Sequence, residues 1–387
     1  MKVLFIIIGI VSCIGVLTLG VLAHPAFGTY RHVSEERIQA SPNYRDGRFQ
    51  NQEPTPQFTG KKAKTPPDLP SREEKPEKPN EENECRSDGL QEGRVPKEAI
   101  EAYKTDLRSL PTDSDWVVWF GHSSYLFCLG GKRFLVDPVL KPEFPASVML
   151  RPFAGTDIYR PDDLPEIDVL IITHEHWDHM DYATLRDIRT RVRHVVCPLG
   201  IADYLRYWHY SDNQITEMDW YDNSQFTILS PQGARLFHNS QLSIINSQLS
   251  ITCLPTRHFS NRLLGRANQT LWASFMIEYA GRKVYIGGDG GYDKRFKAIR
   301  EQFGQVDLAF LENGQYNDRW RYIHTTPEGL EQAIRDLEPK QVFTVHHDKY
   351  ALAMHPWNEP DSVAQAVSRR NGTFKLLDAP IGKVVFF

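Results

Sequence analysis

The sequence predicts an α+β domain from about Ser114 to Phe387, an αββα sandwich, preceded by an N-terminal membrane segment and a charged tether. Three observations predict it. Strand-length apolar runs recur between residues 116 and 345, helical patterns fall between some of them, and charge and proline are concentrated in one stretch upstream. Clustered strands with interspersed helices bury their apolar faces as two packed sheets with helices outside. The net charge of −4 argues against a dedicated nucleic-acid binder, which would be strongly basic. A hydrophobic content of 41% excludes both a polytopic membrane protein and a fully disordered chain.

Met1-Lys2 is followed by 21 uncharged residues, Val3 to Ala23. At about 1.5 Å per residue the run spans about 31 Å, enough to cross a hydrocarbon core of about 30 Å. It reads as an uncleaved signal anchor or as a signal peptide cut after Val21-Leu22-Ala23. Its length exceeds the usual signal-peptide core and favours the anchor. The domain is therefore expected outside the cytoplasm, membrane-anchored, or secreted or periplasmic if the segment is removed. Residues 24–59 read as an extension partly packed on the domain, and 60–113 as the tether. Lys61 to Glu98 holds nine basic and ten acidic residues, with Pro66, Pro67, Pro70, Pro76 and Pro79 breaking any helix. Such a stretch buries too little surface to offset its ordering entropy and is expected to be a disordered spacer.

Within the domain, Trp116–Phe120, Tyr125–Leu129, Phe134–Val136, Val169–Thr173, His194–Cys197, Phe275–Tyr279, Val284–Ile286, Leu308–Leu311 and Val342–Val345 read as strands. They are rich in Val, Ile and aromatics and end at Gly, Pro or Asp. Thr326-Pro327-Glu328 opens a helix that runs to about Leu337 and stops at Pro339. Thr caps it, Pro takes the first turn, and the acid sits at the positive end of the dipole. The segment Asn239–Ile245 is repeated at Asn246–Ile251, which is too short for a solenoid and reads as a duplicated insertion without chemistry, its Leu/Ile–Ser alternation compatible with an edge hairpin.

The chemistry begins at Thr173-His174-Glu175-His176-Trp177-Asp178-His179, directly after an apolar strand. His174 and His176 are two apart, so on an extended strand end both imidazoles point one way and reach one metal. Asp178 and His179 follow in the turn and aim at a second metal nearby. Imidazole and carboxylate without thiolate suit zinc first, then manganese or iron.

This His-x-His-x-Asp-His pattern resembles the metallo-β-lactamase superfamily. The resemblance runs from about Asp115 to the C-terminus through Trp119-Phe120-Gly121-His122-Ser123, Leu135-Val136-Asp137-Pro138, Pro255-Thr256-Arg257-His258-Phe259-Ser260, Thr270-Leu271-Trp272-Ala273-Ser274-Phe275, Gly287-Gly288-Asp289-Gly290-Gly291-Tyr292 and Val345-His346. It is most similar to the branch of N-acylphosphatidylethanolamine phospholipase D and L-ascorbate-6-phosphate lactonase. The resemblance implies two metals, with His174, His176 and His258 on one, Asp178, His179 and His346 on the other, and Asp289 bridging. Asp137 would orient a ligand histidine, if it is not simply a turn residue before Pro138. His324 would bind a phosphoryl oxygen or protonate a leaving group, if it is not a plain loop histidine. His122 lines the site or stacks in the core, and Trp177 shapes the pocket. His347 departs from the branch, which usually carries Trp there, and is taken as a substrate-side residue that adds a donor at the metal edge or changes the pocket's shape.

Two zinc ions clamping a bridging hydroxide suit hydrolysis without a Ser or Cys nucleophile. The favoured reading is a membrane-tethered phospholipase D-type phosphodiesterase acting on N-acyl-phosphatidylethanolamine-like lipids. A lactonase or other carbonyl hydrolase acting on small-molecule esters is the alternative. A non-catalytic metal-bearing scaffold is the third reading, disfavoured because all seven ligand positions are filled.

Overall fold

The computed structural model describes residues 20, 23–28, 35–59, 93–227, 248–262 and 266–387. Two seven-stranded sheets dominate it. The first runs, in spatial order, Val384–Phe386, Trp116–Trp119, Tyr125–Leu129, Lys132–Val136, Ile167–Ile171, Val192–Pro198 and Ile215–Met218. The second runs Lys375–Leu376, Gln341–Val345, Leu308–Glu312, Arg282–Ile286, Ser274–Tyr279, Gln248–Leu254 and Asn223–Thr227.

The two-residue period of a strand explains the layering. Tyr125, Phe127 and Leu129 join Phe275, Ile277 and Tyr279 in the core between the sheets, while Leu126 and Cys128 point outward. Tyr125 stacks on Phe310 with ring centroids 4.2 Å apart, locking the two sheets together. The outward face of the first sheet is covered by helices Tyr182–Ile188 and Ile201–Tyr207 through Leu185, Ile188, Ile201 and Leu205. That of the second is covered by Arg295–Phe303, Pro327–Leu337 and Glu359–Asn371 through Phe296, Ile299, Leu330, Ile334 and Val367. Helix, sheet, sheet and helix give the αββα sandwich. Strands buried on both faces read as continuous apolar runs, which is why most of them were visible in the sequence.

Helix Pro327–Leu337 begins where the sequence places it, with Thr326 Oγ1 accepting the Gly329 N–H at 3.2 Å. Thr326→Ala is expected to cost about 1 kcal/mol and to lower Tm by about 2–4 °C. A thermal melt superimposable on wild type would show that the cap does not hold this helix.

One expectation differs from the structure, and four strands were not foreseen. Residues 93–113 of the expected tether are described and lie on the domain: Leu107 is buried and the Tyr103 N–H donates to Ile381 O at 2.8 Å. Leu107 packs with Trp116 and Val118, an apolar contact the charged composition of the stretch conceals. The duplicated segment lies mostly outside the described residues; the end of its second copy pairs antiparallel with the edge strand Asn223–Thr227. It opens strand Gln248–Leu254, which pairs on both sides, with Leu249 and Ile251 in the core. The edge strands Ile215–Met218, Asn223–Thr227, Lys375–Leu376 and Val384–Phe386 were not read from the sequence; half-exposed edges carry little apolar signal. Among the described residues no helix is long and apolar enough to cross a membrane, and the run from Val3 to Ala23 falls almost wholly outside them.

Candidate metal centre

The ligand candidates converge because each follows a strand that ends at the same rim of the sandwich. His174 to His179 follow Ile167–Ile171, His258 follows Gln248–Leu254, Asp289 follows Arg282–Ile286 and His346 follows Gln341–Val345. Gly290 permits the close approach at Asp289, since a Cβ there would lie 2.0 Å from Thr256 Oγ1. Gly314 does the same for the last ligand, where a Cβ would lie 2.1 Å from His346 O.

Three imidazole nitrogens meet at one point. His176 Nδ1 lies 2.9 Å from His174 Nε2 and 3.2 Å from His258 Nε2, and Asp289 Oδ2 stands 3.9 and 3.8 Å from the latter two. Zinc–nitrogen bonds of about 2.0–2.1 Å place tetrahedral ligands about 3.3–3.4 Å apart, so the spacing fits one cation. The opposite nitrogens are occupied: His258 Nδ1 bonds Ile323 O at 2.8 Å and His174 Nδ1 lies 2.9 Å from Thr173 Oγ1. Such contacts fix ring orientation and leave the inner nitrogen free for a metal.

Beside it, His179 Nε2 lies 3.2 Å from Asp289 Oδ2 and 3.7 Å from Asp178 Oδ2. This nitrogen is buried and has no aligned hydrogen bond, the condition of a ligand facing a cation. Asp289 Oδ1 turns to His346 Nδ1 at 3.2 Å, so one carboxylate faces both groups. Ser123 Oγ also lies 2.9 Å from His346 Nδ1.

Burial and the neighbouring imidazoles hold His174, His258 and His346 well below the ordinary imidazole pKa, and burial pushes His176 to about 3. Neutral imidazole is the ligating form. Burial, with Glu312 nearby, pushes Asp289 up to about 7. His179 is the exception: Asp289 and Asp178, acting against its burial, hold it well above the ordinary imidazole value. Four neutral imidazoles and one carboxylate-bound imidazole thus stand around crowded carboxylates, and the residues present fit a pair of cations.

Asp137 lies beneath the cluster. Its Oδ2 bonds His179 Nδ1 at 2.8 Å, and it is itself held by Thr173, whose N–H and hydroxyl donate at 2.8 and 2.6 Å. Asp137→Asn is expected to weaken metal affinity about 10–100-fold, read by competition with a chromogenic chelator. Unchanged affinity would reduce Asp137 to a turn residue.

The remaining candidates fall in different places. His324 is the ring on the solvent side, its side chain 15% exposed, with Nδ1 donating to Glu312 Oε1. Trp177 is half-buried under Phe27, with the Arg262 guanidinium 3.9 Å from its ring centre. Of the two readings of His122, the structure takes the core one and corrects the substrate-lining one: fully buried, it bonds Asp178 Oδ2 at 2.8 Å through Nε2, its ring 4.1 Å from that of His346. His347 is corrected too. Its ring packs against Trp119, with centroids 4.8 Å apart, and lines a cavity on the other side of the chain from the cluster.

The sequence reading missed three supporting residues. Glu312, at a strand end, holds His324 and accepts the Gly290 N–H at 2.8 Å through Oε2. Its only signal was a lone acid closing the apolar run Leu308–Leu311. Asn51, in the N-terminal extension, donates to His258 O at 2.7 Å and accepts the His258 N–H at 3.2 Å. Arg262, buried, donates to Glu175 O and Met180 O at 2.7 and 2.8 Å, bracketing the ligand loop. Neither of the latter two carries a local signal, since each acts across a large sequence separation.

An αββα sandwich with a rim of histidines and carboxylates defines a metal-dependent hydrolase. The chain belongs to the metallo-β-lactamase superfamily, its residues 132–347 matching the family described as "Beta-lactamase superfamily domain". It is 33% identical over 338 residues to an uncharacterized protein of Mycobacterium tuberculosis, covering 85% of this chain and 79% of that one. It is 27% identical over 251 residues to N-acyl-phosphatidylethanolamine-hydrolyzing phospholipase D 1 of Caenorhabditis elegans, covering 61% and 65%. A solved isothiocyanate hydrolase from Delia radicum gut bacteria shares the fold, with TM-score 0.50, 18% identity and coverage of 70% and 99%.

Proposed function

We propose that this hydrolase is a two-zinc phosphodiesterase of phospholipase D type that acts on N-acyl-phosphatidylethanolamine-like lipids at a membrane surface. The observation that carries the reading is the junction between the N-terminal segment and the ligand loop. The apolar run ends at Ala23; immediately after it, Phe27 packs edge-to-face on Trp177, and His24 packs on Phe144. Phe144, Val148 and Met149 are exposed beside it. An anchor leaving the domain there would hold the metal rim against its own bilayer. The phospholipase D relative from Caenorhabditis elegans supports the substrate class.

Once bound, two divalent cations would supply Lewis acidity toward a phosphoryl oxygen and acidify a coordinated water. His174, His176 and His258 would hold one; Asp178, His179 and His346 the other; Asp289 would face both. The chain itself supplies the proton. Glu312 fixes the His324 ring through Nδ1, leaving Nε2 to protonate the departing alcohol oxygen as the phosphorus–oxygen bond breaks. Addition of water across that bond yields phosphatidic acid and an N-acylethanolamine.

The test is product analysis with the zinc-loaded full chain and a panel of N-acyl phospholipids in vesicles, simple phosphodiesters and lactones. Phosphatidic acid release is expected. Lactone turnover without phosphatidic acid would overturn the reading in favour of a carbonyl hydrolase, and full metal without turnover would favour a scaffold. In the same assay His324→Gln should lower kcat about 10²–10⁴-fold with metal content intact; an unchanged kcat would remove the proton-donor role.

A further inference from the structure

The turn after the last ligand carries a second group of donors that the catalytic reading does not use. His346 and Asp348 both adopt positive φ, 76° and 61°, so the chain turns sharply and His347 faces away from His346. His347 Nδ1 lies 3.1 Å from Asp348 Oδ1 and 3.7 Å from Asp361 Oδ1, the last from helix Glu359–Asn371. All three donor atoms lie within 4.8 Å of one another.

Two features separate this group from a charged surface cluster. His347 is 3% exposed, and its Nδ1 has no aligned hydrogen bond, nor has Asp348 Oδ1 despite the short distance. The ring's other nitrogen, Nε2, lies 3.3 Å from Thr344 Oγ1. Three atoms of ligating type thus converge. They lie in the wall of a cavity of about 820 Å³, bounded also by Trp119, Trp357 and Asp378, where water can complete a coordination shell.

We propose that His347, Asp348 and Asp361 form a separate mononuclear site for a divalent transition cation, distinct from the rim cluster. One imidazole and two carboxylates suit zinc or manganese. Asp361 spans from the last helix to the turn behind His346, so the bound ion would pin that helix to the back of the centre.

Zinc stoichiometry of the full chain, measured by equilibrium dialysis, tests this. Asp361→Asn removes one donor from a side chain that is 44% exposed, so the fold should tolerate it. The expected result is one zinc equivalent fewer in Asp361→Asn than in wild type. That same equivalent should be retained in Asp289→Asn, where only the rim cluster is damaged. Equal zinc content in wild type and Asp361→Asn would overturn the proposal and leave His347 a buried ion-paired histidine.

Discussion

Asp289→Asn is expected to abolish turnover and to lower the metal content of the purified protein. The carboxylate is 2% exposed and its two oxygens serve two groups: Oδ2 faces His174, His258 and His179, while Oδ1 faces His346. Asparagine keeps the shape but removes a negative charge and turns one acceptor into an N–H donor aimed at nitrogens that must themselves accept a metal. Metal ions contribute several kcal/mol of charge stabilisation to such reactions. Losing about 4 kcal/mol slows turnover about 10³-fold. The checks are kcat on the best substrate of the panel and metal content by elemental analysis. Wild-type activity in this variant would remove the shared-ligand assignment.

Arg262→Met is expected to produce the largest loss of stability. The guanidinium is fully buried; Nε donates to Ala26 O at 2.7 Å and Nη1 to the Glu175 and Met180 carbonyls. Methionine fills similar space on Trp177 but supplies no donor, so three carbonyls lose their partner and buried Glu175 loses a neighbouring positive charge. Removing one member of a buried charged network costs about 3–5 kcal/mol. At about 2–4 °C per kcal/mol for a domain of this size, Tm should fall by about 10 °C. Because the carbonyls bracket His176 to His179, metal affinity should fall with it. A calorimetric Tm within about 2 °C of wild type would show that Arg262 fills space and no more.

The reach of the sequence follows from how local each signal is. His174, His176, Asp178 and His179 lie on one strand end and its turn, so spacing alone brings them together, and the resemblance to the superfamily's ordered motifs implied His258, Asp289 and His346 beside them. The strands buried on both faces were legible because each is a continuous apolar run; the edge strands were not, being short and half-exposed. The Thr326 cap was legible because capping is settled within four residues.

What the sequence determined by itself was therefore the sandwich, its central strands and the donor set of the rim. The tertiary structure decided which way neighbouring residues face and what supports them. His346 and His347 are adjacent, yet a positive φ at His346 sends one to the rim and the other to Trp119 and Asp361. His122, a motif residue, is buried behind Asp178. Asn51 and Arg262 hold the centre from distant points of the chain, and Glu312 from the end of an adjacent strand. A hydrogen bond needs its partners within about 3 Å in space, and no sequence spacing encodes that distance across two hundred residues.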